Sequence, residues 1–171
     1  MRFFSGFTLR NESHLFREHL CRSAYCVAGF SYGAIKAARC VLNSSERVDT
    51  LQLLSPAFFQ EMPERFKRLQ TAAFAKDPEG YRAQFLTNCF KPLAPQGVER
   101  TEGSAAELEE LLYYVWEPET LRAIAARGTR IEVYLGEADA IIDAAKAREF
   151  FAPYATVTFI KNANHFLQEQ S

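Results

Sequence analysis

Gly29-Phe30-Ser31-Tyr32-Gly33 limits what this chain can fold into more than any other stretch. It is a G-x-S-x-G pattern set between a buried-strand run, Tyr25-Cys26-Val27-Ala28, and an alanine-rich helical segment from Tyr32 to Leu42. A chain that leaves a strand and enters a helix through one serine turns so tightly that only glycines two residues either side avoid a clash. That turn lifts the serine hydroxyl out at the end of a strand, where it can attack a substrate. A plain glycine-rich turn would use the same residues, but the strand before and the helix after favour the nucleophile.

The rest of the chain alternates in the same way. A β-prone start, Arg2-Phe3-Phe4, stops at Ser5-Gly6, and Leu15, Phe16, His19 and Leu20 then recur at helical spacing between His14 and Cys21. Thr50 to Leu54 reads as a strand broken at Ser55-Pro56, and strand, helix and strand return at Arg130–Leu135, Asp143–Phe151 and Thr156–Ile160. Between them the pattern is helical only, over residues 63–76, 78–90, 104–116 and 118–127, with Pro63, Pro78 and Pro118 at or near three of the starts. The expectation is one α/β domain over residues 1–171, with a mostly parallel sheet flanked by helices and a helical lid inserted at about 56–127. With 48% hydrophobic residues the chain can fill such a core without disulfides or metal.

A serine hydroxyl needs a base, and the base needs a carboxylate to orient it. Of three histidines, His14 and His19 precede Ser31, while His165 follows the last strand in the polar turn Asn162-Ala163-Asn164-His165. The order Ser, acid, His is that of the α/β-hydrolases. The acid belongs after the penultimate strand, where Gly136-Glu137-Ala138-Asp139-Ala140-Ile141-Ile142-Asp143 offers three carboxylates. Asp139 is the choice, short enough to be held by the loop and covered by Ile141-Ile142. Glu137 has a looser reach, and Asp143 suits the N-cap of the next helix. An oxyanion needs two aimed donors: the N–H of Tyr32, and the N–H of Phe7 in the loop after the first strand. In the insertion Phe58, Phe59, Phe66, Phe74, Phe85 and Phe90 can wall an apolar channel, two or three of them reaching substrate. Arg65, Lys67, Arg68 and Lys76 fall along one predicted helix, either as a solvated face or as a surface steering an acidic carrier.

Twenty basic against twenty-one acidic side chains argue against nucleic acid as a partner. Cys21, Cys26, Cys40 and Cys89 form no C-x-x-C pair and have no histidine at metal-ligand spacing, so neither metal nor cofactor is expected. The absence of a signal-like or membrane-spanning run points to an unprocessed protein of the cytoplasm, not bound to a membrane.

Phe3-Phe4-Ser5-Gly6-Phe7, Gly29 to Gly33, Leu54-Ser55-Pro56, Phe66-Lys67-Arg68-Leu69-Gln70, Lys76-Asp77-Pro78 and Asn164-His165-Phe166 together resemble the BioV type of pimeloyl-acyl carrier protein methyl ester esterase. The resemblance runs over nearly the whole chain and includes its brevity. It implies removal of a methyl group from a pimeloyl chain on acyl carrier protein, in biotin synthesis, with the carrier docking at Arg65, Lys67, Arg68 and Lys76. Two departures from larger hydrolases stand out: two leading antiparallel strands are lacking, and Ser5 replaces the histidine many relatives have before the oxyanion-loop glycine. A general short-chain carboxylesterase, an acyl thioesterase and a non-catalytic binding protein of the same fold are the competing readings.

Overall fold

The computed structural model describes residues 1–170. In chain order the elements are β1 (Arg2–Phe4), β2 (Leu9–Arg10), a 3-10 turn (Glu12–Phe16), β3 (Cys26–Phe30), α1 (Tyr32–Asn43), β4 (Thr50–Leu54), α2 (Glu64–Lys76), α3 (Pro78–Phe90), β5 (Glu99–Arg100), α4 (Ala105–Tyr113), α5 (Pro118–Ala126), β6 (Arg130–Gly136), α6 (Ala144–Phe151) and β7 (Thr156–Ile160). Five strands form one sheet in the order β1-β3-β4-β6-β7, every neighbouring pair parallel. Strands β3 and β4 are buried at every residue, as central strands of a parallel sheet must be.

Strand order follows chain order, so each crossover steps one place in the same direction. From β3 onward, right-handed crossovers put their helices on one face of the sheet. There α1 packs on β1, β3 and β4, α5 on α1 and β6, and α6 on β6 and β7. Ile35, Val41, Leu51, Leu53, Val133 and Leu135 fill this layer. The other face carries the alternate residues and buries Phe16, Phe30, Leu54, Phe90 and Phe166 in a second cluster. Gln52 also lies on this face, 1% exposed, with its amide fully engaged. Its Nε2 donates to the His19 carbonyl and to Glu132, each at 2.9 Å, and its Oε1 accepts the Cys21 N–H at 2.9 Å. Burial, and then the hydrogen bond to Glu132, push the neighbouring Tyr134 phenol up to about 12.

Three departures from the sequence expectation have local causes. The helix expected over 14–21 is only the 3-10 turn, and the Cys21 N–H that such a helix would bond internally goes to Gln52 instead. Helix α4 stops at Tyr113 instead of running to 116: Trp116 is pulled inward, its backbone N–H on Gln60 at 2.7 Å and its indole N–H on the Ala57 carbonyl at 2.8 Å. Helix α5, expected within the insertion, belongs to the sheet layer through Leu121 and Ile124, so the helices over the site are α2, α3 and α4. An additional antiparallel pair, Leu9↔Arg100 and Arg10↔Glu99, stitches the chain after β1 to the insertion.

Helix α1 crosses β1 with no side chain between them, since a Cβ at Gly33 would overlap the Phe4 carbonyl and lie 2.6 Å from the Ser5 oxygen. The obstacle is backbone, which cannot rotate away. Gly33→Ala is therefore expected to cost about 3 kcal/mol, the upper range for overpacking. Gly97→Ala, which meets open space, is expected to be nearly neutral in the same urea denaturation.

Candidate active site

Ser31 occupies the turn between β3 and α1 with φ 53° and ψ −113°, a conformation that a non-glycine residue adopts only when its surroundings impose it. Its N–H donates to the Leu54 carbonyl at 2.9 Å, and its own carbonyl accepts from Ala34 and Ala57, each at 3.1 Å. A Cβ at Gly29 would lie 2.7 Å from the Ala34 nitrogen, with the Gly33 carbonyl closer still. Both glycines of the pattern are thus fixed by backbone approaching backbone.

His165 bridges two elements far apart in sequence. Its Nε2 is 3.1 Å from Ser31 Oγ, and its Nδ1 is 2.6 Å from Asp139 Oδ2. The side chains of His165 and Asp139 are both fully buried. The second Asp139 oxygen accepts the N–H groups of Ile141 and Ile142 at 2.7 and 3.0 Å, so the loop backbone holds the carboxylate that faces the ring. The other two carboxylates are occupied elsewhere. Glu137 accepts the Asn162 N–H at 3.0 Å, and Asp143 caps α6 through the Lys146 N–H at 3.1 Å. Phe30 lies against the imidazole, ring centres 5.0 Å apart. Burial, and then the nearby Asp139 charge, hold the Cys89 thiol well above its ordinary range.

Tyr32 is the first residue of α1, where a backbone N–H has no acceptor within the helix. Its phenol donates to Glu110 of α4, which also receives Arg39; burial and then Glu110 push that phenol up. Phe7 is 2% exposed and its ring packs on Phe74 and Phe85 at 5.9 and 6.0 Å, tying the loop after β1 to α2 and α3. Above the Asp139 loop lies a cavity of about 480 Å³, its walls including Phe59, Phe66, Phe85, Leu111 and Ile141. Three of the six insertion phenylalanines line it; Phe58 packs on Phe150, Phe74 on Phe7 and Phe90 on Phe166.

The four cations expected along one helix do share α2, but not one face. Lys67 lies about half a turn from Arg65 and two turns from Phe74, so it shares the buried side of the helix with Phe74. It is only 9% exposed, with its ammonium 5.1 Å from the centre of the Tyr113 ring. Lys67 is therefore removed from any docking surface. Arg65, Arg68 and Lys76 remain on the solvent side around Leu69, itself 57% exposed.

By sequence, no family model and no curated protein matches the chain. By structure it is similar to E-2-(acetamidomethylene)succinate hydrolase, with a TM-score of 0.59 at 16% identity over 99% of this chain and 85% of that one. It is also similar to BioG from Haemophilus influenzae, at 0.57 and 12% identity over 96% and 87% of the two chains. A third likeness is to the carboxylesterase CesB (YbfK) from Bacillus subtilis, at 0.59 and 17% identity over 90% of this chain. The chain has the α/β-hydrolase fold. It spans little more than half, 57%, of the carboxylesterase's length.

Ser31 stands at the turn from β3 into α1, and Asp139 and His165 follow it in chain order, after β6 and after β7. Asn164 was not singled out from the sequence, yet it builds the turn that presents His165. Fully buried, it donates to the Phe90 carbonyl at 2.9 Å and accepts the N–H groups of Phe166 and Gln168, each at 3.0 Å. An asparagine beside the candidate base in a polar turn is the signal that marks it. Asn164→Ala strands these partners in a buried setting and is expected to lower stability by about 3 kcal/mol in chemical denaturation.

Proposed function

We propose that this chain is a serine carboxylesterase acting on the methyl ester of a pimeloyl chain held by acyl carrier protein. The observation that carries the chemistry is the buried His165 ring joining Ser31 Oγ at 3.1 Å to Asp139 at 2.6 Å. In this reading Ser31 Oγ attacks the ester carbonyl as its proton passes to His165 Nε2. Asp139, held by two backbone N–H groups, keeps Nδ1 protonated and stabilises the imidazolium. The oxyanion takes the N–H groups of Tyr32 and Phe7, each such donor worth about 10²–10³ in rate. The imidazolium then protonates the leaving methoxide, methanol departs, and water repeats the sequence on the acyl-enzyme to release the free acid. No bound group is needed for any of these steps.

Two features support the narrower substrate, beside the sequence resemblance. The cavity above Asp139 has mainly apolar walls, and the side chains lining it include no lysine or arginine, which suits a neutral methylene chain ending in an ester. On the solvent side of α2, Arg65, Arg68 and Lys76 surround an exposed leucine, a pattern suited to an acidic carrier that also offers an apolar contact. No described helix is long and apolar enough to cross a membrane, and the four cysteines are free, which accords with work in the cytoplasm.

Incubation with methyl-pimeloyl-acyl carrier protein, read by mass spectrometry, is expected to show loss of the methyl group with the thioester intact for wild type and not for Ser31→Ala. Cleavage of the thioester, or turnover of small esters alone, would move the assignment to a thioesterase or a general esterase. No labelling of folded protein by a fluorophosphonate would overturn the hydrolase reading itself. Changing Arg65, Arg68 and Lys76 together to Glu is expected to slow the carrier-bound ester about tenfold or more while leaving a small chromogenic ester within about twofold. Equal losses on both would remove the docking role.

A further inference from the structure

Glu12 is the one fully buried carboxylate, apart from the Asp139 side chain, among the described residues, and the mechanism above does not use it. It opens the 3-10 turn that follows β2, at 0% exposure. Its Oε1 accepts the Gly6 N–H at 2.7 Å, whereas its Oε2 has no hydrogen-bond partner among the described residues. A carboxylate buried with one oxygen unmatched is a poor structural element, since an apolar side chain of similar size would fill the space without the desolvation cost.

What Glu12 holds explains its presence. Gly6 and Phe7 share one peptide plane, in which a trans bond points the Gly6 carbonyl and the Phe7 N–H in opposite directions. The carbonyl is occupied, accepting the Leu9 N–H at 3.2 Å across the turn from Gly6 to Leu9. Phe7 N–H therefore points out of that turn. The turn itself is strained, because Thr8, a β-branched residue, sits at φ 60°. Left to itself such a turn would relax by rotating its peptides. With Gly6 N–H on Glu12 and Gly6 carbonyl on Leu9, both polar groups of Gly6 are fixed, and the direction of the next N–H is fixed with them.

The geometry points to Glu12 as a positioning residue that aims the Phe7 N–H at the developing oxyanion. This rests on the esterase reading above. Glu12 touches no reacting atom; it acts through the Gly6 peptide, and its buried, half-satisfied carboxylate is kept for rate and not for stability.

Glu12→Met and Glu12→Gln separate those roles. For Glu12→Met the expected result is a melting temperature equal to or above wild type, a kcat on a small chromogenic ester lower by about 10–100-fold, and KM within about twofold. Inhibition by a trifluoromethyl ketone, whose serine adduct carries the oxyanion, should weaken by the same factor as kcat. Glu12→Gln keeps a carbonyl for Gly6 N–H and should stay within about threefold of wild type. The proposal is overturned if folded Glu12→Met keeps kcat within threefold, if it fails to fold, which would make Glu12 structural, or if Glu12→Gln loses as much rate as Glu12→Met. A wild-type protein inert toward ester and ketone alike would instead defeat the esterase reading, so the two failures are distinct.

Discussion

The backbone at Ser31 governs everything around it, because it is held against its own preference from three sides. Strand β4 supplies the Leu54 carbonyl that receives the Ser31 N–H, and the loop after β4 returns an N–H from Ala57 to the Ser31 carbonyl. Ser55, between them, is itself at φ 40° and fully buried, anchored by its N–H on the Tyr134 carbonyl of β6 at 2.8 Å. A single unfavourable conformation is thus supported by three adjacent strands and by two glycines that let helix and strand backbones touch. Strain of this kind, of order 1–3 kcal/mol per residue, persists only where the surroundings over-determine it.

The layer above the site is coupled to the same turn by shared residues. Tyr32, one peptide past the serine, binds Glu110 of α4 through its phenol, and Lys36 lies 3.7 Å from Glu107 one helical turn earlier. Phe7 packs on α2 and α3 while its loop pairs with β5 through the chain that follows it. The two peptides proposed to receive the oxyanion therefore belong to residues whose side chains contact the helices over the site, through one aromatic ring on each side.

The features legible in the sequence are those set by local rules. Glycines flanking a serine, strand and helix periods, and short carboxylates after a strand exit reflect backbone sterics and capping, which act over a few residues. The position of Asp143 as a helix cap followed from that alone. What escaped depends on neighbours distant along the chain. Lys67 reads as a surface cation because lysine usually is one, and its burial with the ammonium beside the Tyr113 ring depends on how α2 packs on α4. Gln52, thirty-one residues from Cys21, takes an N–H that the expected helix would have used. Glu12 is invisible as a builder of the site because nothing in its own sequence neighbourhood records that it is buried, whereas Asn164 is marked only by its place beside His165 in a polar turn.

Strands laid down in chain order have a consequence for how this molecule comes into being during synthesis. Two of the strands that hold the Ser31 turn, β3 and β4, precede Ser55, whereas β6, which anchors Ser55, follows the insertion. His165 comes about a hundred residues later, beyond the insertion, β6 and β7. At about 5–20 residues per second a ribosome takes on the order of ten seconds to cover that distance. For that interval the nascent chain carries Ser31 without the imidazole that faces it in the finished fold. The hydrogen-bonded chain from Ser31 through His165 to Asp139 is thereby withheld from the incomplete polypeptide, and it forms when the final turn docks.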